Sequence, residues 1–131
     1  MFQIRPYNPN DYTKLASWWS AHKWPVLPEH YLPKTGIIVE SNSNPICAGF
    51  LYRTDSAFAW LEFVVADPNS DKIERRQGLD LLVAALLDEA QKQGFSAVHT
   101  SAQHPSLIDR YVSHGFTVSD TNMTNLTWIR K

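Results

Sequence analysis

The chain has 131 residues, a formal net charge of −1 and one cysteine, Cys47, so its length favours a single domain spanning residues 1–131. One cysteine excludes an internal disulfide and, with no metal-ligand spacing in the sequence, predicts a reducing, cytoplasmic setting. The near-neutral charge argues against extended nucleic acid as a partner. The polar, proline-rich start argues against a secretory signal, and the lack of a long apolar run argues against a membrane span.

The first elements in chain order are a strand and a helix. Phe2 to Pro6 is β-prone, and Asn8 followed by Pro9 predicts a helix start with Asn8 as the N-cap. Apolar residues at helical spacing predict the buried stripe of this helix, and Trp18 falls outside it. The stripe consists of Tyr12, Leu15, Ala16 and Trp19.

A loop and three strands are predicted next. Residues 22–33 include three prolines, which favours a loop with one helical turn. Strands are expected at 36–40 and 46–53, around the turn signal of residues 42–45, so the chain forms an antiparallel meander. The third strand, 57–66, is almost entirely apolar, which predicts burial on both of its faces.

The second half of the chain predicts a long helix, a strand, a second helix and a hairpin. The long helix ends near Gly94. A strand at 96–101, a helix at 105–113 and a closing hairpin of strands 116–119 and 126–130 follow. The apolar face of the long helix consists of Leu79, Leu82, Val83, Leu86 and Ala90.

The charged stretch before this apolar face has two interpretations. A helix N-terminus with a glycine and basic side chains can bind a phosphate group through backbone N–H groups and charge-assisted hydrogen bonds. In that case the candidate residues are Arg75, Arg76, Gln77, Gly78, Leu79 and Asp80. Alternatively, Asp71 with Glu74 forms a capping box, the helix starts near Lys72, and Gly78 lies inside it.

Two stretches resemble motifs of the GNAT superfamily of acyl-CoA-dependent N-acetyltransferases, in a compact form of the bacterial or bacteriophage type. Arg75 and Gly78 occupy two places of the family's phosphate-binding pattern, whereas Asp80 departs from it. In residues 104–116, Tyr111 takes the place of the family's tyrosine, and three other positions differ from the commonest residues. The resemblance implies an α/β (α+β) fold with a mixed, mostly antiparallel sheet of about six to seven strands flanked by helices.

The same resemblance implies direct transfer of an acetyl group from acetyl-CoA to a primary amine, with no metal. The pantetheine arm of coenzyme A would pair with the strand end formed by Val64, Val65 and Ala66, and residues 75–80 would hold its diphosphate. Tyr111 would protonate the leaving thiolate. The acceptor would be a small molecule or a protein amine, in the host cytoplasm if a phage encodes the chain.

Glu62 is the one carboxylate within the apolar strand 57–66. An ionised carboxylate is costly in a strand buried on both faces, so it needs compensation. An ion pair with Arg53, or an edge in contact with water, would provide it. The alternative is a general base whose pKa is raised by burial and which takes a proton from the acceptor ammonium.

Aromatic residues of the first helix and the following loop are candidates for the acceptor pocket. Trp18, Trp24 and Tyr31 could stack on a flat or cationic acceptor, or belong to the core. Two other functions stay open: a non-catalytic acyl-CoA-binding module, and a protein-interaction module that contacts a macromolecule through this aromatic segment. An exposed edge strand of the closing hairpin could also pair with a second copy of the chain.

Overall fold

The computed structural model describes residues 1–131, which divide into two compact units, Met1–Ser101 and Ala102–Lys131. The first unit contains five strands and two α-helices, and the second contains one α-helix. The strands are β1 (Phe2–Pro6), β2 (Gly36–Ser41), β3 (Asn44–Tyr52), β4 (Phe58–Ala66) and β5 (Ala97–His99). The helices are α1 (Tyr12–Ala21), α2 (Lys72–Lys92) and α3 (Pro105–Ser113), with short 3₁₀ turns at Pro9–Asp11 and Glu29–Tyr31.

The helix start at Asn8 and Pro9 is confirmed. The Asn8 side chain accepts a hydrogen bond from the N–H of Asn10, and Pro9 opens the 3₁₀ turn that leads into α1. Arg5 on β1 binds the carboxylate of Asp11 at 2.9 Å and that of Glu40 on β2 at 3.0 Å. These two ion pairs hold the start of α1 against the β1–β2 ladder.

The sheet has the order β1-β2-β3-β4-β5, and only the β4–β5 pair is parallel. The predicted meander is therefore confirmed. Asn42 and Ser43 connect β2 to β3 with φ values of 52° and 72°. Two successive residues with positive φ form the tight turn whose twist matches an antiparallel hairpin.

One helix packs on each face of the sheet. The α1 face buries a cluster of apolar side chains, and each large aliphatic one contributes about 1.5–3 kcal/mol by leaving water. The cluster consists of Leu15, Trp18, Trp19, Ile38, Ala48, Phe50 and Val65. On the other face, α2 lies so close to β3 that a Cβ on Gly78 would be 2.6 Å from Cδ1 of Ile46. This close approach is the structural reason for a glycine within the helix.

The position of Trp18 corrects a prediction. Its side chain is 4% exposed and belongs to the core together with Trp19, so it is not available to a substrate. The buried face of α1 is wider than the narrow stripe predicted, because a helix on a sheet can bury more than 100° of its circumference.

The prediction that β4 is buried on both faces is also wrong. Ala59 and Leu61 are fully buried, but Phe58 and Trp60 are 37% and 39% exposed. The α1 core reaches β4 at Val65 and does not include the two aromatic residues. Helix α1 therefore leaves the first half of this face open to solvent.

In the second unit, His104 caps α3 by accepting a hydrogen bond from the N–H of Ser106 at 3.2 Å. The expected closing hairpin of strands 116–119 and 126–130 is absent, so the sheet has five strands instead of six to seven. Residues 117–131 are all exposed, and Leu126 and Trp128 are 90% and 82% exposed. Alternating apolar residues alone do not form a strand, because a two-stranded hairpin without a packed face is at best marginally stable.

Candidate functional site

The first feature of the site is the point where β4 and β5 stop pairing. The ladder joins Phe58 to Ala97 and ends with Trp60 opposite His99. Beyond it, the hydroxyl of Thr100 donates to the carbonyl of Leu61 at 2.6 Å. The remainder of β4, to Ala66, has no strand partner on this side, so it forms an open backbone edge of the sheet.

A β-bulge lies within this open segment. The β3–β4 register shifts by one residue between Ala48, opposite Val65, and Phe50, opposite Glu62. Phe63 takes up the extra residue with a φ of 58°, a conformation that costs an L-residue about 1–2 kcal/mol. Bulges redirect backbone and side-chain groups and are frequent beside functional sites. The strained conformation of Phe63 is therefore evidence for a functional role of this segment.

Backbone groups of the open segment alternate between the two edges of β4. The N–H of Asp67 donates to the carbonyl of Ile46 on β3 at 2.8 Å. Because neighbouring residues of an antiparallel strand point to opposite edges, Val65 faces β3, while Val64 and Ala66 face the open side. Of the three residues predicted to pair with a pantetheine arm, Val64 and Ala66 face the open side and Val65 faces β3.

Glu62 sits next to the bulge, on the sheet face that carries α1. Burial raises the pKa of Glu62 to about 7, so the carboxyl changes charge close to neutral pH. The predicted alternative of an ion pair with Arg53 is wrong, because the guanidinium of Arg53 donates to Gln93 at 3.2 Å. The other alternative, partial contact with water at an open edge, agrees with the half-buried side chain.

Tyr52 and Phe63 stand beside Glu62. The hydroxyl of Tyr52 donates to the backbone carbonyl of Tyr31 at 2.7 Å, and its ring lies 6.0 Å from that of Phe63. Burial, with a smaller contribution from the charge of Glu62, raises the pKa of Tyr52 to about 12. Tyr52 stays protonated near neutral pH and anchors the loop that carries the exposed Tyr31.

His22 and Trp24 lie at the far end of the open segment. Nε2 of His22 is 3.0 Å from the carbonyl oxygen of Ala66, and the rings of His22 and Trp24 stack at 4.3 Å. The sequence analysis names Trp24 as a candidate but not His22, because the contact of His22 with β4 joins residues 44 positions apart. His22 thus engages the Ala66 carbonyl that was expected to pair with the donor.

Trp60 and His99 form a second aromatic pair at the opposite end of the segment. Their ring centroids are 4.3 Å apart, and Phe58 contacts both rings at 5.8 Å and 5.9 Å. Since Trp60 and Glu62 are two residues apart on one strand, their side chains share a face of the sheet. An aromatic surface therefore adjoins the carboxyl group.

The predicted phosphate-binding loop has a different structure. Helix α2 begins at Lys72, with Asp71 as its N-cap, so all the candidate residues lie inside the helix. These residues are Arg75, Arg76, Gln77, Gly78, Leu79 and Asp80. Within an α-helix each N–H donates to the carbonyl four residues earlier, which removes the expected amide cradle. The alternative interpretation, a capped helix that starts early and contains Gly78, is the one observed.

Two side chains at this helix start have structural roles. The guanidinium of Arg75 donates to the carbonyls of Ser70 at 3.0 Å and Pro68 at 3.4 Å, so it supports the turn before α2. Glu74 accepts a hydrogen bond from the hydroxyl of Ser41 at 2.6 Å instead of closing a capping box with Asp71. Both contacts fix the helix start to the preceding turn and to β2.

Tyr111, in α3 of the second unit, is buried at 4% exposure, and its ring lies 5.1 Å from that of Phe116. Its role as a general acid stays a prediction. Cys47 is fully buried and outside any disulfide, as expected for a small core side chain. No three His, Cys, Asp or Glu side chains lie close enough to hold a metal ion. No helix combines the length and apolar character needed to cross a membrane.

The open segment fits part of coenzyme A. Unpaired backbone groups on a strand edge can pair with an extended amide-containing chain, as in strand addition, and a pantetheine arm is such a chain. The start of α2 does not fit the diphosphate, because its amides are bound within the chain and an acidic residue caps it. The residues present thus fit the thioester arm and not the nucleotide.

Known structures share this architecture. N-acetylglutamate synthase from Neisseria gonorrhoeae, complexed with coenzyme A and N-acetyl-glutamate, aligns with a TM-score of 0.71 and 16% identity, covering 92% of this chain and 29% of that one. The ribosomal-protein-S18-alanine N-acetyltransferase from Escherichia coli aligns with a TM-score of 0.69 and 22% identity, covering 92% of this chain and 80% of that one. The chain has the GNAT fold.

A transcriptional regulator from Bacillus halodurans C-125 shares this GNAT fold with a TM-score of 0.75 and 13% identity, covering 97% of this chain and 100% of that one. No family model matches the chain, and neither does any curated protein. The fold predicted from the sequence resemblance is confirmed. Because one fold hosts several functions, the activity has to be argued from the site.

Proposed function

We propose that the chain is an acetyltransferase that moves an acetyl group from a coenzyme A thioester directly to an amine. The observation that carries this proposal is the open edge of β4 beyond the Trp60–His99 pair, with the bulge at Phe63 and the half-buried Glu62 beside it. The edge provides a place for an extended thioester arm. Glu62 provides a base that works near neutral pH.

Glu62 takes a proton from the acceptor ammonium, directly or through one water, because its raised pKa matches the working pH of a general base. The amine then attacks the thioester carbonyl. A backbone N–H at the bulge donates to the carbonyl oxygen as negative charge develops on it. The C–S bond breaks as the tetrahedral intermediate collapses, and in this proposal Tyr111 donates a proton to the leaving thiolate. The nitrogen releases its second proton to water, and Tyr111 regains a proton from water.

The acceptor approaches Glu62 from the face that carries Tyr52, Phe63 and Trp60. Aromatic side chains near a carboxylate attract an ammonium through cation–π interactions as well as charge. Trp24 and Tyr31, each more than 40% exposed, stay candidates for acceptor contacts, whereas the buried Trp18 does not.

The proposal is tested by measuring thiol release from acetyl-CoA in the presence of a panel of small primary amines and amine-bearing peptides. Acetyl transfer to at least one class, with mass spectrometry confirming an acetylated amine, is the expected result. Binding of the thioester without transfer to any amine would favour the non-catalytic binding module instead. Absence of any binding would exclude both and favour the protein-interaction module.

A further inference from the structure

The amides at the start of α2 are bound within the chain. The carboxylate of Asp71 accepts from the N–H of Ile73 at 3.1 Å and of Glu74 at 3.0 Å. The N–H of Arg75 donates to the backbone carbonyl of Asp71 at 2.8 Å. A diphosphate at this place would have to displace the Asp71 carboxylate from the amides.

The carboxylate of Asp71 also interacts with the positive end of the helix dipole. A helix N-terminus carries about half a positive elementary charge, which stabilises an anion placed beside it. Asp71 supplies this anion. A diphosphate would therefore meet the Asp71 carboxylate where related folds offer free amides.

The helix start cannot easily be remodelled to expose its amides. Arg75 is bound to the carbonyls of Pro68 and Ser70, and Gly78 lies buried against the side chain of Ile46. Unwinding the first two turns of α2 would break the Arg75 contacts and the packing at Gly78. Both contacts therefore stabilise the helix start in which the amides are bound.

The edge of β4 presents the opposite situation. Val64 and the N–H of Ala66 point toward the side where β5 has ended, and no strand covers this edge. The carbonyl of Ala66 is already bound by His22. Backbone hydrogen bonds to a pantetheine arm do not depend on the nucleotide at its other end. The groups of the chain that can bind a donor therefore contact the pantetheine arm and not the nucleotide.

We propose that the chain recognises its acyl donor through the pantetheine thioester and that the nucleotide half of coenzyme A contributes little to binding. The substrate class is an acyl group on a pantetheine arm, with or without the nucleotide. This inference rests on the proposed function, because it concerns the donor of the same site.

Isothermal titration of the full chain with three ligands tests the inference: coenzyme A, pantetheine and adenosine bisphosphate. Pantetheine and coenzyme A should bind with dissociation constants within about fivefold of each other, a spread expected from surface charge effects alone. Adenosine bisphosphate should not bind measurably. Coenzyme A binding about a hundredfold or more tightly than pantetheine would overturn the inference, because a diphosphate held by two or more charge-assisted hydrogen bonds gives that difference.

A substitution at Asp71 tests whether this carboxylate is the reason that the nucleotide contributes little to binding. Asp71→Ser keeps a good N-cap and removes the charge, so it should raise the preference for coenzyme A over pantetheine about two- to fivefold. The matched control Asp55→Ser, in the exposed turn before β4, should leave that preference unchanged. An unchanged preference in Asp71→Ser would contradict the role given to this carboxylate. If neither pantetheine nor coenzyme A binds, the proposed function fails together with the inference, which distinguishes that result from selective binding of coenzyme A.

Discussion

Trp60 and His99 are the last paired residues of β4 and β5, and their rings meet at 4.3 Å with an angle of 61° between their planes. After this pair the two strands separate, and β4 continues alone to Ala66. The ring pair therefore marks one end of the open edge, and the stacked rings of His22 and Trp24 mark the other. Glu62 and the bulge at Phe63 lie between them.

Glu62→Gln should abolish the pH dependence of the reaction. Since burial raises the pKa of Glu62 to about 7, kcat/KM of the unmodified chain should rise with pH and level off above this value. The variant should lose this rise and be about a hundredfold slower, the usual loss of a general base. The control Asp88→Asn, on the exposed side of α2, should keep the unmodified profile. A rise retained in Glu62→Gln would assign the base to another group.

The same substitution should change stability in a pH-dependent way. The folded-state pKa of Glu62 lies above its ordinary value of 4.5, so the folded chain holds this proton between that value and about pH 7. Stability from this group is complete below the lower value and is lost as pH rises through about 7. Glu62→Gln should therefore melt at a higher temperature than the unmodified chain above about pH 8, with the difference shrinking below about pH 4. Equal melting temperatures of the variant and the unmodified chain at both pH values would contradict the burial of Glu62.

Gly78 should be required for packing and not for ligand binding. Alanine gains about 1 kcal/mol of helix propensity, but its Cβ would meet Cδ1 of Ile46 at 2.6 Å, and such overpacking costs about 1–3 kcal/mol. Gly78→Ala should destabilise the chain, and Ile46→Val, which removes Cδ1, should relieve the clash. Urea unfolding of both single variants and the double variant should give a favourable coupling of about 1 kcal/mol or more. Additive effects would mean that the two residues do not interact.

Tyr111→Phe tests the general acid that the resemblance implies. Removing the hydroxyl should lower kcat about a hundredfold if this group protonates the thiolate, while the affinity for pantetheine stays unchanged. Single-turnover kinetics and titration measure the two quantities separately. Full activity would remove Tyr111 from the mechanism.

Local signals were sufficient for much of the fold. Asn8 with Pro9 set a helix start through capping and a fixed φ, and the apolar period of α2 marked its buried face. Both are properties of neighbouring residues, which is why a sequence reveals them. The sequence allows two interpretations of the start of α2. In the structure Asp71 caps the early start, and Gly78 packs against Ile46 within the helix.

Other features depend on contacts that no local pattern encodes. The bulge at Phe63 has a positive φ without a glycine, so nothing in the sequence signals it. His22 reaches Ala66 across 44 positions, and the burial of Trp18 depends on the width of the α1 contact. The expected closing hairpin fails for the same reason: alternation at 126–130 predicts a strand only where a partner strand is available.

The open edge of β4 is the central claim, and amide NMR with added pantetheine tests it most directly. Resonances of Val64, Ala66 and Thr100 should shift in a saturable way, while those of Gln3 on β1 and Asn42 in the β2–β3 turn should not. Shifts confined to the start of α2, or none at all, would contradict the account.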